Sequence, residues 1–184
     1  PIDKSSFDIR HMAFNSSQAH VIMGHLGTIR FDSDRLALEV ANQMFGGIGF
    51  NSVLMKELRV KRGYTYGAYS SFSFSQAPGT FSLSYSTKQD QLLDSIQVAH
   101  RALVDFVKQP IDQKQLEETK AGMLRAFPNN YSSNANINAQ LGSMGFYNQT
   151  ADYLNEYPRL LEKMTAQDVQ NAIQKHIHPE RLTI

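Results

Sequence analysis

The sequence predicts an α+β fold: a two-layer sandwich in which a mostly antiparallel sheet carries helices packed on one face. Three observations lead there. Alternating apolar and polar segments crowd into the first half of the chain, helical periodicity fills the second, and a further strand begins at the end. The repeating βαβ pattern of a parallel sheet is missing. No linker, internal repeat or low-complexity tract interrupts the 184 residues, so residues 1–184 are expected to form a single domain.

The elements follow in order. Ala19 to Leu26 alternates as a core strand, and Gly27 ends it. Asp32 or Ser33 then caps a helix whose Leu36, Val40 and Met44 form one stripe, flanked by Ala37 and Ala41. Gly46-Gly47-Ile48-Gly49 halts it, as a tight joint needing positive φ or close approach. A second helix is expected from Asn51 or Ser52, with Val53, Leu54 and Leu58 inward. Lys61 and Arg62 fall at its C-terminus and Gly63 at its C′ position. Tyr64 to Phe74 and Gly79 to Thr87 read as two strands of an antiparallel hairpin, turning at Gln76-Ala77-Pro78-Gly79. Helices follow. One, from Leu92 or Leu93 to Val107, carries Ile96, Ala99, Leu103 and Phe106. Another opens with a capping box at Asp112 and Gln115 and breaks at Pro128. Others cover about Asn134 to Phe146, Tyr153 to Lys163, and Thr165 to Ile177, the last closed by Pro179.

Composition removes several function classes. Hydrophobic residues make up 41% and charged residues 19%, a globular balance that argues against disorder. No apolar run approaches the ~20 residues of a membrane-spanning helix. Net charge is +1, and the longest basic grouping is Arg59, Lys61 and Arg62, too short to track a phosphate backbone, so no nucleic-acid partner is expected. The absence of cysteine excludes disulfides, thiolate zinc sites and a cysteine nucleophile. Pro1-Ile2-Asp3-Lys4 does not resemble a signal peptide, there is no initiator Met, and Arg181-Leu182-Thr183-Ile184 reads as a strand just starting. The expectation is a fragment of a longer polypeptide, which leaves the compartment open.

The chemistry-bearing residues are then few. His20 and His25 fall on opposite faces of a strand, and His176 and His178 diverge at a helix end. His11 and His100 stand alone, and neither H-E-x-x-H nor H-x-x-E-H occurs, so no metal site is expected in this chain. There is no G-x-S-x-G elbow, and the glycine run at Gly46 lacks the Gly-Lys-Ser/Thr ending of a phosphate loop. What remains is the segment Glu57 to Tyr66. A helix ending at Gly63 followed at once by a strand lets Arg59 and Tyr66, seven residues apart, project to one edge. A guanidinium and a phenol so placed suit carbonyl or oxyanion oxygens. The alternative is a solvated arginine near a helix end and a tyrosine packed on a sheet face. The residues alone leave both open.

The string from Asn42 to Arg59, with Gly46-Gly47, Asn51-Ser52, Leu54 and Glu57-Leu58-Arg59, followed by Arg62-Gly63-Tyr64-Thr65-Tyr66, resembles the second homologous domain of the pitrilysin/insulinase (inverzincin) peptidases. Mitochondrial processing peptidases are similar too. Gln18 to Leu26, Gly79-Thr80-Phe81, Asp152-Tyr153 with Tyr157-Pro158, and Met164 to Val169 agree in order and spacing, so the resemblance covers about Gln18 to Ile184. It departs at Val53, where the family often carries arginine.

The resemblance implies a zinc metallopeptidase parent whose other homologous domain, in the same or a partner chain, holds the zinc through H-x-x-E-H. In that frame this domain supplies Arg59 and Tyr66 to a peptide substrate inside a closed chamber. It implies no cofactor or metal within residues 1–184, no activity for them alone, and, from family habit, a bacterial periplasm or cell envelope. Related chains that have lost activity leave a scaffold or partner-subunit role as the alternative.

Overall fold

The computed structural model describes residues 6–47, 49–150 and 152–184. Pro1 to Lys4 and Ile48, used in the sequence reading, lie outside them. The chain divides into two compact units, Pro1–Ile111 with Gln167–Ile184, and Asp112–Ala166.

The first unit holds the sheet. Strands β1 (Gln18–Leu26), β2 (Ala68–Phe72) and β3 (Thr80–Lys88) are ordered β1-β3-β2 and pair antiparallel throughout. The register sets Met23 and Ser70 opposite Leu83 on its two sides, and Val21 opposite Tyr85. Period-two alternation therefore buries Val21, Met23, Phe81, Leu83 and Tyr85 on one face. Ile22, Tyr69, Ser71 and Ser84 are exposed on the other.

Helices α1 (Arg35–Gly46) and α2 (Leu92–Lys108) cover the apolar face. Phe45 of α1 has its ring centroid 6.3 Å from that of Phe81 and 5.0 Å from that of Phe106 of α2, and Tyr85 Oη donates to Ser95 Oγ of α2 at 3.2 Å. Burial pushes the Tyr85 phenol up to about 12. The stripe on α1 is broader than periodicity suggested: Leu38 and Phe45 are fully buried, whereas Leu36 is only half-buried. Gly46 is needed for close approach, because a Cβ there would lie 2.5 Å from the Ser70 backbone nitrogen on β2.

The strand expected at the chain end does not form as a strand; Arg181 lies in a 3-10 turn and Thr183 makes isolated bridges. Thr183 exchanges backbone hydrogen bonds with Gly24 at 2.8 and 3.0 Å, while Asp8 and Ile184 bond along its other side. His25 closes this corner. Its Nδ1 lies 2.8 Å from Leu26 O, and its Nε2 accepts the His178 N–H at 3.1 Å. Both ring nitrogens are thus occupied, and burial lowers its pKa. His20, on the open face, lies 2.8 Å from Ser86 Oγ. The two histidines do point to opposite faces.

The second unit is helical: α3 (Gln113–Ala126), α4 (Asn134–Phe146) and α5 (Tyr153–Lys163). The expected cap forms, with the Gln115 N–H donating to Asp112 Oδ1 at 2.6 Å, and Ser133 caps α4 in the same way. Lys120 donates to the Met164 carbonyl at 3.0 Å, placing a cation at the C-terminus of α5. The final helix, α6 (Ala166–His176), stops one residue short of Ile177. Among the described residues no helix is long and apolar enough to cross a membrane.

Candidate functional site

The Glu57–Tyr66 segment begins on a helix anchored by Leu54, Met55 and Leu58, all buried beside the sheet. The sequence predicts an ordinary α-helix up to Gly63. The structure instead widens its last turns into a π-helix, Met55–Val60, in which the Lys61 N–H reaches Lys56 O at 3.0 Å. Gly63 takes the expected C′ role at φ +65°, a conformation that favours glycine. Its N–H donates to Arg59 O at 2.9 Å and that of Tyr64 to Leu58 O at 2.8 Å.

This closure corrects the strand boundary. A strand starting at Tyr64 is not formed, because the Tyr64 N–H is turned back onto the helix. Thr65 Oγ1 then forms a local turn, accepting the Gly67 N–H at 3.2 Å and donating to Gly67 O at 2.8 Å. Pairing starts only at Ala68. Tyr66 therefore stands in the turn before β2, 89% exposed, and is not packed on a sheet face.

Arg59 and Tyr66 do come together. Arg59 Nη1 donates to the Tyr66 carbonyl at 2.6 Å, and its guanidinium carbon lies 5.7 Å from the Tyr66 ring centroid. On a second aromatic, the same carbon sits 4.4 Å from the Phe50 ring centroid. The neighbouring cations are engaged otherwise: Lys61 and Arg62 both donate to the Glu57 carboxylate. Burial would raise the Glu57 pKa, but these two bonds outweigh it and hold the group below the usual value. Among the described residues Arg59 pairs with no carboxylate, so its charge faces aromatic rings and solvent. With one of its five N–H donors committed, a guanidinium in this setting retains capacity for carbonyl or carboxylate oxygens.

A second polar cluster escaped the sequence reading. His176 Nε2 lies 2.9 Å from Asp34 Oδ2 and 3.6 Å from Asp32 Oδ2, and Lys175 Nζ donates to Asp34 Oδ2 at 2.7 Å. One ligand atom each of Asp32, Asp34 and His176 falls within 4.8 Å of the others, the spacing of a metal-binding group. These donors already have partners, however. Asp34 holds a lysine and a histidine, and Asp32 accepts from Thr28 Oγ1 at 2.6 Å and from the Asp34 N–H at 2.9 Å. The arrangement is an ion-paired clasp between α6 and the start of α1. No local signal announces it, because its members are 141 and 142 residues apart.

Residues 1–123 match the family described as the peptidase M16 inactive domain. The chain belongs to that family. This M16 domain is similar to the crystal structure of a peptidase M16 inactive domain from Pseudomonas fluorescens, at 34% identity and a TM-score of 0.90. That match covers 98% of this chain and 42% of the other. It is 36% identical over 88 residues to an uncharacterized zinc protease of Streptomyces coelicolor, covering 48% of this chain and 19% of that protein. It is 26% identical over 172 residues to a non-peptidase homolog of Helicobacter pylori, covering 92% of this chain and 39% of that protein. The chain therefore spans well under half the length of these relatives. The family description agrees with a domain lacking H-x-x-E-H, and the donors of the Asp34 clasp do not reproduce that zinc motif.

Proposed function

We propose that this M16 domain binds substrate and stabilises the transition state in a zinc-dependent endopeptidase that cleaves peptides within an enclosed chamber. The zinc belongs to a homologous domain outside residues 1–184, in the same or a partner chain, where it would supply an activated water. The observation that carries the reading is the juxtaposition of the exposed Tyr66 with the Arg59 guanidinium, which no carboxylate among the described residues neutralises. As an amide carbonyl is attacked, negative charge grows on its oxygen. The Tyr66 hydroxyl donates to that oxygen, and the remaining Arg59 donors hold neighbouring carbonyls of the peptide in line. The bond from Arg59 to the Tyr66 carbonyl supports this reading, because it ties the two residues together without substrate, and donors held in advance are the effective ones.

The test uses the full polypeptide with its zinc-bearing domain. Tyr66→Phe and Arg59→Ala are compared with wild type for hydrolysis of unstructured peptides, with zinc content measured in parallel. Near wild-type kcat/KM in both variants, with zinc retained, would remove the catalytic role.

A second reading is a non-catalytic scaffold or partner subunit of the same fold. It is favoured by the Helicobacter pylori relative, named a non-peptidase homolog, which matches almost the whole of this chain. Sequencing the gene around this segment separates the two. H-x-x-E-H in the parent or in an adjacent reading frame supports the peptidase, and its absence from both supports the scaffold.

A further inference from the structure

We propose that Phe50 is a positioning residue that fixes the plane of the Arg59 guanidinium toward the substrate; this rests on the catalytic reading above. Arg59 projects from a π-helix at the surface, and its long side chain is free to rotate unless something holds it. The hydrogen bond from Nη1 to the Tyr66 carbonyl fixes one point of the guanidinium. A single point leaves rotation about that bond. The Phe50 ring, 4.4 Å below the guanidinium carbon, is well inside the range of a cation–π contact and supplies the missing constraint. The Tyr66 ring at 5.7 Å adds a more distant contact. Together they orient the remaining donors without consuming any of them, whereas a carboxylate partner would have neutralised the charge.

Phe50 has little else to do. It is 58% exposed, so its ring contributes little to the core, and it is held in the turn before the helix. That turn is set by Gly49 at φ +123°, with Ser52 Oγ donating to Gly49 O at 3.5 Å. A large aromatic kept at the surface with its face against the arginine is expected of a support for that group. An aliphatic residue of similar size would shield the site but would not attract the cation.

The experiment is a double-mutant cycle in the full, zinc-loaded polypeptide, reading kcat and KM on a peptide substrate. Phe50→Leu should lower kcat/KM by roughly two- to fivefold, the range expected for an exposed cation–π contact, with the same kcat-to-KM split as Arg59→Ala. Phe50→Tyr should retain activity, and Phe50→Leu should add nothing in an Arg59→Ala background. Equal losses in both backgrounds, an unchanged Phe50→Leu, or a Phe50→Tyr as impaired as Phe50→Leu would overturn the proposal. If Arg59→Ala itself stays near wild type, the catalytic reading falls. The positioning claim is then judged by a crystal structure of Phe50→Leu: displacement of Arg59 from the Tyr66 carbonyl supports it, and an unmoved guanidinium overturns it.

Discussion

The Asp34 cluster and the Arg59 cluster each hold a cationic side chain on the same unit, and they end in opposite conditions. At Asp34, a carboxylate faces a lysine and a histidine, and its neighbour Asp32 is taken by a hydroxyl and a backbone N–H. The bonds from Lys175 and then His176 hold the Asp34 carboxyl below the usual range. At Arg59, one donor meets a backbone carbonyl, and the charge otherwise meets aromatic faces. A saturated cluster spends its interactions on the fold. An unsaturated one leaves them available, which is the basis of the proposed role, and the two are expected to separate cleanly under mutation.

The largest expected effect lies at the unsaturated cluster. Arg59→Ala and Tyr66→Phe should each lower kcat roughly 10²-fold in the full polypeptide, about 2.7 kcal/mol of barrier, as for the loss of one oxyanion donor. Thermal midpoints should stay within about 1 °C of wild type, because neither the half-buried Arg59 nor the exposed Tyr66 belongs to the buried core. A midpoint falling in step with activity would erase the contrast between the clusters.

Next comes the clasp itself. Asp34→Ala should cost about 1–2 kcal/mol of stability in urea denaturation, since it leaves a half-buried histidine and a lysine without their carboxylate. Peptidase activity below the unfolding transition should be unchanged. A 10²-fold loss of activity in Asp34→Ala would mean that this cluster is not merely structural.

The contrast was only half legible in the sequence. Gly63 announced the end of its helix, and the seven-residue spacing of Arg59 and Tyr66 could be read directly, because both are local features. The π-turn and the delayed start of β2 were not readable, because they depend on backbone bonds from Lys61 and Tyr64 that compete with ordinary helix and strand pairing. The Phe50 stack depends on a side-chain direction that spacing does not give. The clasp was invisible for a different reason: Asp34 and His176 meet only after the whole chain has folded. The sheet was easier, since alternation in β1 and β3 names its buried face outright, while the pairing of residues 182–184 with both Gly24 and Asp8 needed the structure.

A smaller effect is set by pH. Asp34 has a folded pKa below its ordinary 3.8, so its contribution is present above pH 3.8 and is lost as pH falls through the folded value. Lys175 is shifted the other way, raised above 10.5 chiefly by its bond to Asp34, so its share is lost only as pH climbs past that folded value. Stability measured by denaturant titration should therefore decline toward acid with a shallower slope in Asp34→Asn than in wild type. An identical acid slope in the variant would show that the clasp carries no linked proton.

The smallest effect tests where the Arg59 cluster ends. Glu57 binds Lys61 and Arg62 beside the site, and Lys61 is largely exposed, so the ion pairs are screened by solvent. Glu57→Gln should cost about 0.5 kcal/mol or less in stability, in line with helical pairs of this kind. Its effect on catalysis discriminates more sharply than its effect on folding. If Glu57 serves only to neutralise its two neighbours, kcat/KM should stay within about twofold of wild type, because the contacts that hold Arg59 come from Phe50 and the Tyr66 carbonyl. A tenfold loss would place Glu57 inside the functional cluster. Its role would then be to keep two competing cations from the oxygens that Arg59 is meant to bind.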